Sequence, residues 1–146
     1  MREMWYLMKA LIWDDSMTTG VPEIDNQHQE LIEKFNELRV ALEQKKGREA
    51  IGDILGFLQF YAAWHFGREE ECMEKYRCPV AVANKQAHAG FVSRFNQLYE
   101  DWNEAGAGNE MVIAVYAELG HWFVGHIQKT DTQLYPCVLS AARPDD

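Results

Sequence analysis

His65 and Glu69 stand four residues apart in the stretch Trp64-His65-Phe66-Gly67-Arg68-Glu69-Glu70. On a helix, that spacing sets an imidazole and a carboxylate one turn apart on the same face. The residues leading up to them make that face apolar, with Ile51, Ile54, Leu55, Leu58 and Ala62 recurring at helical intervals. A histidine and a glutamate facing a core without partners are costly. A buried metal ion is the simplest group that neutralises both.

The elements that must position such a pair follow from periodicity. Apolar residues at Ile24, Leu31, Ile32, Phe35, Leu38 and Leu42 predict a helix from Ile24 to about Lys45, with His28 in its stripe and Lys45-Lys46-Gly47 as its stop signal. A second helix is expected from about Arg48 to Tyr76, closed by Cys78-Pro79. A third runs from about Val82 to Asn103, with Asn84, His88, Phe91, Phe95, Leu98 and Trp102 inward. The fourth, from about Glu110 to Thr130, carries Met111, Val112, Val115, Leu119, Trp122 and Phe123, with His126 extending the stripe. Leu134 to Ala141 reads as a short terminal turn. No strand-like alternation of any length is present. The expected fold is all-α, an antiparallel up-down-up-down four-helix bundle in a single domain of 146 residues. Residues 1–21 form an extended N-terminal arm, 22–131 the bundle and 132–146 a C-terminal tail. Trp5, Tyr6, Leu7, Leu11, Ile12 and Trp13 of the arm could cap an open end of the core.

Every helix of this plan carries polar residues in its apolar stripe: His28 on the first, His65 and Glu69 on the second, Asn84 and His88 on the third, His126 on the fourth. Asp131 follows at or just past the fourth helix end. Any one of them alone reads as an ordinary core residue with a satisfied partner. Four helices repeating the feature is not accidental, because each unpaired buried group destabilises the core. Four imidazoles and two carboxylates are too many for one tetrahedral zinc, and suit two iron or manganese ions in a bundle interior.

These residues resemble the bacterial hemerythrins. The resemblance lies in Trp13-Asp14-Asp15-Ser16, Ile24-Asp25-Asn26-Gln27-His28, His65-Phe66 with Glu69-Glu70 and Met73, His88 with Phe91, and His126-Ile127 with Asp131. It implies a non-haem di-iron centre that binds O2: two iron ions, Fe2+ or Fe3+, with a bridging oxo or hydroxo group. By that resemblance His28 and His65 hold one iron, His88 and His126 the other, and Glu69 and Asp131 bridge them. Two ferrous ions bring four positive charges, of which two carboxylates and a hydroxide offset three. The family pattern carries His-x-x-x-His on the third helix, and Asn84 stands where the first of these belongs. The expectation is a lost protein ligand at the His88/His126 iron, an exchangeable position there and faster autoxidation. That tilts the function toward an oxygen or redox sensor. A di-iron enzyme with peroxidase, oxidase or nitric oxide chemistry, a plain O2 carrier or storage protein, and plain metal storage or structural metal binding are the alternatives. Leu31, Phe91, Phe95 and Trp122 are candidates to line a dry ligand pocket. Expected partners are O2, with NO, peroxide or small anions, and a fused or separate signalling output domain.

The remaining features narrow the setting. A net charge of −9 with scattered acids and bases argues against nucleic acid or an anionic membrane as partner. No stretch is long enough to span a bilayer. Cys72, Cys78 and Cys137, odd in number and widely spaced, give no disulfide framework. Cys72 and Cys78, near the second loop, read as redox-active thiols or, more commonly, buried or inert ones, and the chain is expected to be soluble and cytoplasmic. Glu70, Glu71 and His121 are expected at the solvated surface.

Overall fold

A computed structural model describes residues 8–105 and 109–141. Four long helical rods carry the chain: α1 (Pro22–Glu43), α2 (Arg48–Lys75), α3 (Ala81–Ala105) and α4, spanning 110–129. Helix α4 is α-helical over Glu110–Ala114, π-helical over Val115–Gly120 and α-helical again over His121–Lys129. A 3-10 turn, Asp131–Gln133, leads into α5, Leu134–Ala141. The terminal turn expected at 134–141 is thus a helix, and the arm residues Trp5, Tyr6 and Leu7 lie outside the described residues. No strand occurs among the described residues. The rods pack in a closed ring, α1 on α2, α2 on α3, and α4 on both α3 and α1. This is the four-helix bundle that the periodicity predicts. No described helix is long and apolar enough to cross a membrane.

The helix ends follow local chemistry. Pro22 opens α1 with its fixed φ and absent N–H. Asp25, in the first turn, accepts from the Thr19 backbone N–H at 2.9 Å and the Thr19 hydroxyl at 2.8 Å. Gly20 supplies the positive φ of that entry turn, +82°. Helix α1 closes through Lys46 N–H donating to Ala41 O at 2.9 Å, with Lys45 in the left-handed conformation at φ 53°. The glycine stop signal was expected at Gly47. It falls instead on a lysine because the helix already ends at Glu43, and Gly47 becomes the start of α2.

The expected stripes are buried. His28, His65, Glu69, Asn84, His88, His126 and Asp131 all lie in the interior, together with Leu31, Phe35, Leu58, Phe91, Phe95 and Phe123. One large apolar cluster fills most of the bundle. A small one, built on Met73, Cys78 and Leu134, sits where α2, the α2–α3 connector and α5 meet. Each fully buried Leu or Phe contributes about 1.5–3 kcal/mol.

The arm is fastened by hydrogen bonds. Asn36 of α1 grips Leu11 on both sides, accepting from its N–H and donating to its carbonyl, each at 2.8 Å. The Tyr116 hydroxyl, in the π segment, donates to the Lys9 carbonyl. Leu11 is buried, Ile12 is exposed, and Trp13 lies with its ring 6.5 Å from that of His28. Leu11 and Trp13 therefore act as the cap, and Ile12 does not.

Candidate metal centre

The polar residues converge on one place because the four helices turn inward residues toward the same level and the 3-10 turn after α4 adds Asp131. Glu69 lies in the middle. Its Oε2 is 2.9 Å from His28 Nε2 and 3.4 Å from His65 Nε2, and its Oε1 is 3.2 Å from His88 Nε2. Asp131 repeats the division: Oδ2 stands 3.2 Å from His28 Nε2 and Oδ1 stands 3.1 Å from His126 Nε2. Each carboxylate therefore turns one oxygen toward the His28/His65 side and the other toward the His88/His126 side. Two sets of ligand-type atoms close enough to hold a cation result, His28, His65 and Glu69 in one, and Glu69, His88, His126 and Asp131 in the other. The six residues predicted from the sequence are all brought together.

Asn84 belongs to the second side. Its amide nitrogen donates to Glu69 Oε1 at 3.0 Å and to the Met73 sulfur at 3.2 Å, which turns its oxygen to within 2.7 Å of His126 Nε2. The side chain that replaces an expected histidine thus reaches the cluster.

Two further residues orient imidazoles. Gln27 Oε1 lies 2.7 Å from His65 Nδ1. An amide oxygen only accepts, so Nδ1 carries the proton and Nε2 offers its lone pair inward. Glu70 Oε2 stands 3.1 Å from His88 Nδ1 and does the same for that ring. Glu70 was expected in solvent. Its carboxylate instead leans across to α3, with a side chain 22% exposed. Gln27 is visible in the sequence only as the neighbour of His28, and adjacent residues rarely share an inward face. Glu71 and His121 are exposed as expected.

Aromatic rings wall the cluster. Phe66 stacks on His88 at 3.9 Å, Trp122 stacks on His126 at 4.6 Å, and Phe123 meets His28 edge-on at 5.7 Å. Of the expected pocket residues, Trp122 touches an imidazole and Phe91 packs on Trp122 and Phe66. Phe95 lies one layer back, against Phe91, and Leu31 is core. Phe66 and Phe123 were missed. Both read as ordinary core from their spacing.

Burial opposes a charged His28, but the facing carboxylates of Asp131 and Glu69 outweigh it and hold the imidazole up at about 9. Burial likewise resists an ionised Glu69, and its contacts with His28, His65 and His88 overcome this and hold it well below the usual carboxylate range. His65 is lowered, chiefly by burial. Burial would lower His88 too, yet Glu69 and Glu70 raise it.

The donor set fits divalent or trivalent cations. Nε2 of His65, Nε2 of His88 and both oxygens of Asp131 are buried and make no well-aligned hydrogen bond, only the ion-pair approaches given above. An unsatisfied buried polar atom costs about 1–3 kcal/mol. All four atoms face inward, and cations placed among them would satisfy them together. Imidazole nitrogen with carboxylate oxygen is the mixture that iron and manganese favour.

Comparison with known proteins agrees with this geometry. The family described as Hemerythrin HHE cation binding domain matches residues 19–138. The bacteriohemerythrins of Stenotrophomonas maltophilia and Pseudomonas aeruginosa are each 32% identical over 124 residues, 85% of this chain and 78% of theirs. That of Clostridium acetobutylicum is 27% identical over 128 residues, 84% of this chain and 96% of its own. The crystal structure of a leucine-to-alanine variant of hemerythrin superimposes with a TM-score of 0.76 at 27% identity, covering 87% of this chain and 95% of that one. With its helical bundle, its interior cluster of histidines and carboxylates and a family match over most of its length, this chain belongs to the hemerythrin HHE family.

Proposed function

We propose that the cluster holds two iron ions and that the chain binds O2 as an oxygen or redox sensor. His28 and His65 would hold one ion, His88 and His126 the other, and Glu69 and Asp131 would span the pair. The observation that carries this reading is the division of both carboxylates, one oxygen toward each pair of imidazoles. When bound, the two irons supply the redox chemistry by which O2 is taken up. The protein's own residues do the rest. Gln27 and Glu70 fix the tautomers of His65 and His88 so that Nε2 faces the metal. Phe66, Phe123 and Trp122 exclude water from the rings they cover.

Asn84 shifts the reading from carrier to sensor. An amide oxygen is a neutral, weak donor beside an imidazole, so the His88/His126 side keeps an exchangeable position. A centre that releases and accepts small ligands readily reports on them better than it stores them. A signalling output domain, fused or separate, would be the partner that reads the state.

The test is anaerobic. Iron per chain is measured, then the visible spectrum before and after O2, and again after added azide. Two irons, rapid conversion to an oxidised spectrum and anion exchange support the sensor. Fewer than two metals per chain overturns the di-iron assignment, and fully reversible bands without anion exchange make the chain a carrier.

A further inference from the structure

Cys72, Cys78 and Cys137 are dispersed along the chain, yet all three border the small cluster of Met73, Cys78 and Leu134. Cys78 sits in the α2–α3 connector, 5% exposed, and Cys137 of α5 packs against the same small cluster, near enough for its thiol to act on that of Cys78. The Cys137 S–H donates to the Gln133 carbonyl at 3.3 Å, one turn back along the chain. Cys137 is also half-buried and lines a surface cleft of about 670 Å³ together with Lys75, Tyr76 and Arg77. One thiol is therefore reachable from solvent beside two cationic side chains, and the second stands behind it. Cys72 borders the same cluster from the last turns of α2.

We propose that Cys137 and Cys78 form a reversible disulfide in response to a hydroperoxide, with Cys137 as the reacting thiol and Cys78 as the resolving one. The proposal does not rest on the iron reading. The Cys137 thiolate attacks the peroxide O–O bond, giving a sulfenic acid and a hydroxide that leaves as water with the thiol proton. The Cys78 sulfur then attacks the sulfenic sulfur, forming the S–S bond and releasing a second water. Two thiols lose two electrons, and one hydrogen peroxide becomes two waters. The order follows from burial, which pushes the Cys78 thiol up to about 12 and keeps it from starting the reaction.

The bond would tie the connector leading into α3 to the helix that follows Asp131. Met73, in the same cluster, accepts the Asn84 amide, so the crosslink lies against one wall of the metal centre. Oxidation would then be felt where Asn84 sits.

The full-length protein, both metal-loaded and chelator-treated, is exposed to hydrogen peroxide, alkylated and analysed by non-reducing mass spectrometry. The expected product is lighter by two hydrogens, yields a linked Cys78–Cys137 peptide pair, is reversed by dithiothreitol and unfolds at a higher temperature. Cys72→Ser leaves it unchanged. Cys78→Ala stops the reaction at a dimedone-trappable sulfenic acid on Cys137. Three alkylated thiols after treatment, a link that includes Cys72, or over-oxidised Cys137 beside free Cys78 in the unaltered chain would each overturn the proposal.

Discussion

The Asn84 amide nitrogen stands 3.0 Å from Glu69 Oε1, the oxygen that faces the His88 side of the centre. The amide at this position therefore also restrains the carboxylate shared by both sides. Its position is doubly fixed, since the same nitrogen reaches the Met73 sulfur. These two contacts direct the amide oxygen toward His126 Nε2, 2.7 Å away.

Asn84→His is expected to close the exchangeable position. An added imidazole donor should slow both autoxidation and azide exchange about tenfold, equivalent to roughly 1.4 kcal/mol in the barrier. Stopped-flow absorbance of the O2-exposed and azide-treated protein measures both rates. Unchanged rates would mean that Asn84 does not control access.

Glu70 and Gln27 should matter through the rings they hold. Glu70→Ala and Gln27→Ala each free an Nδ1–H and let one imidazole rotate or change tautomer. Loss of such an outer hydrogen bond lowers metal affinity by about 10- to 100-fold. Competition with a chromophoric chelator reads the loss. Glu71→Ala, exposed and paired with Arg68, serves as the control with no change.

Metal uptake should release protons. In the metal-free chain His28 holds its proton up to about 9, and His88 is also raised. Metal binds neutral imidazole, so at pH 7 to 8 the His28 proton must leave as the ion enters. A raised pKa means the proton is bound below it and gone above it. Apparent affinity should then climb with pH, about tenfold per unit for each proton released, and flatten above about 9. Calorimetry in buffers of different ionisation enthalpy counts the protons, and a pH-independent affinity would contradict the assignment.

Much of this was legible in the sequence because helical periodicity and ligand spacing carry the same information. His28, His65, Glu69, Asn84, His88 and His126 each interrupt an apolar stripe, so their inward direction and their convergence followed from the bundle alone. Glu70 was not legible, since its neighbour Glu69 takes the inward position and only the packing of α2 on α3 lets a second carboxylate lean across to His88. The burial of Tyr116, Gly120 and Ile127 was not legible, because each lies beside an expected stripe residue and α4 packs on both α1 and α3, which widens the face it buries. The meeting of Cys78 and Cys137 depends on where α5 folds back, and no local pattern encodes that.

Gly20 offers a test of the entry that delivers His28. At φ +82° an L side chain pays about 1–2 kcal/mol for the left-handed backbone. A Cβ there would also come within 2.6 Å of the Tyr135 ring. Tyr135 is 46% exposed, so its ring can swing outward, and the backbone term should dominate. Gly20→Ala is therefore expected to destabilise the chain by about 1–2 kcal/mol, and Tyr135→Ala should restore little of it. Urea unfolding of the two single variants and the double variant separates the terms. If Tyr135→Ala fully rescued Gly20→Ala, the contact and not the dihedral would be what requires glycine, and the Thr19–Asp25 turn into α1 would tolerate a side chain there.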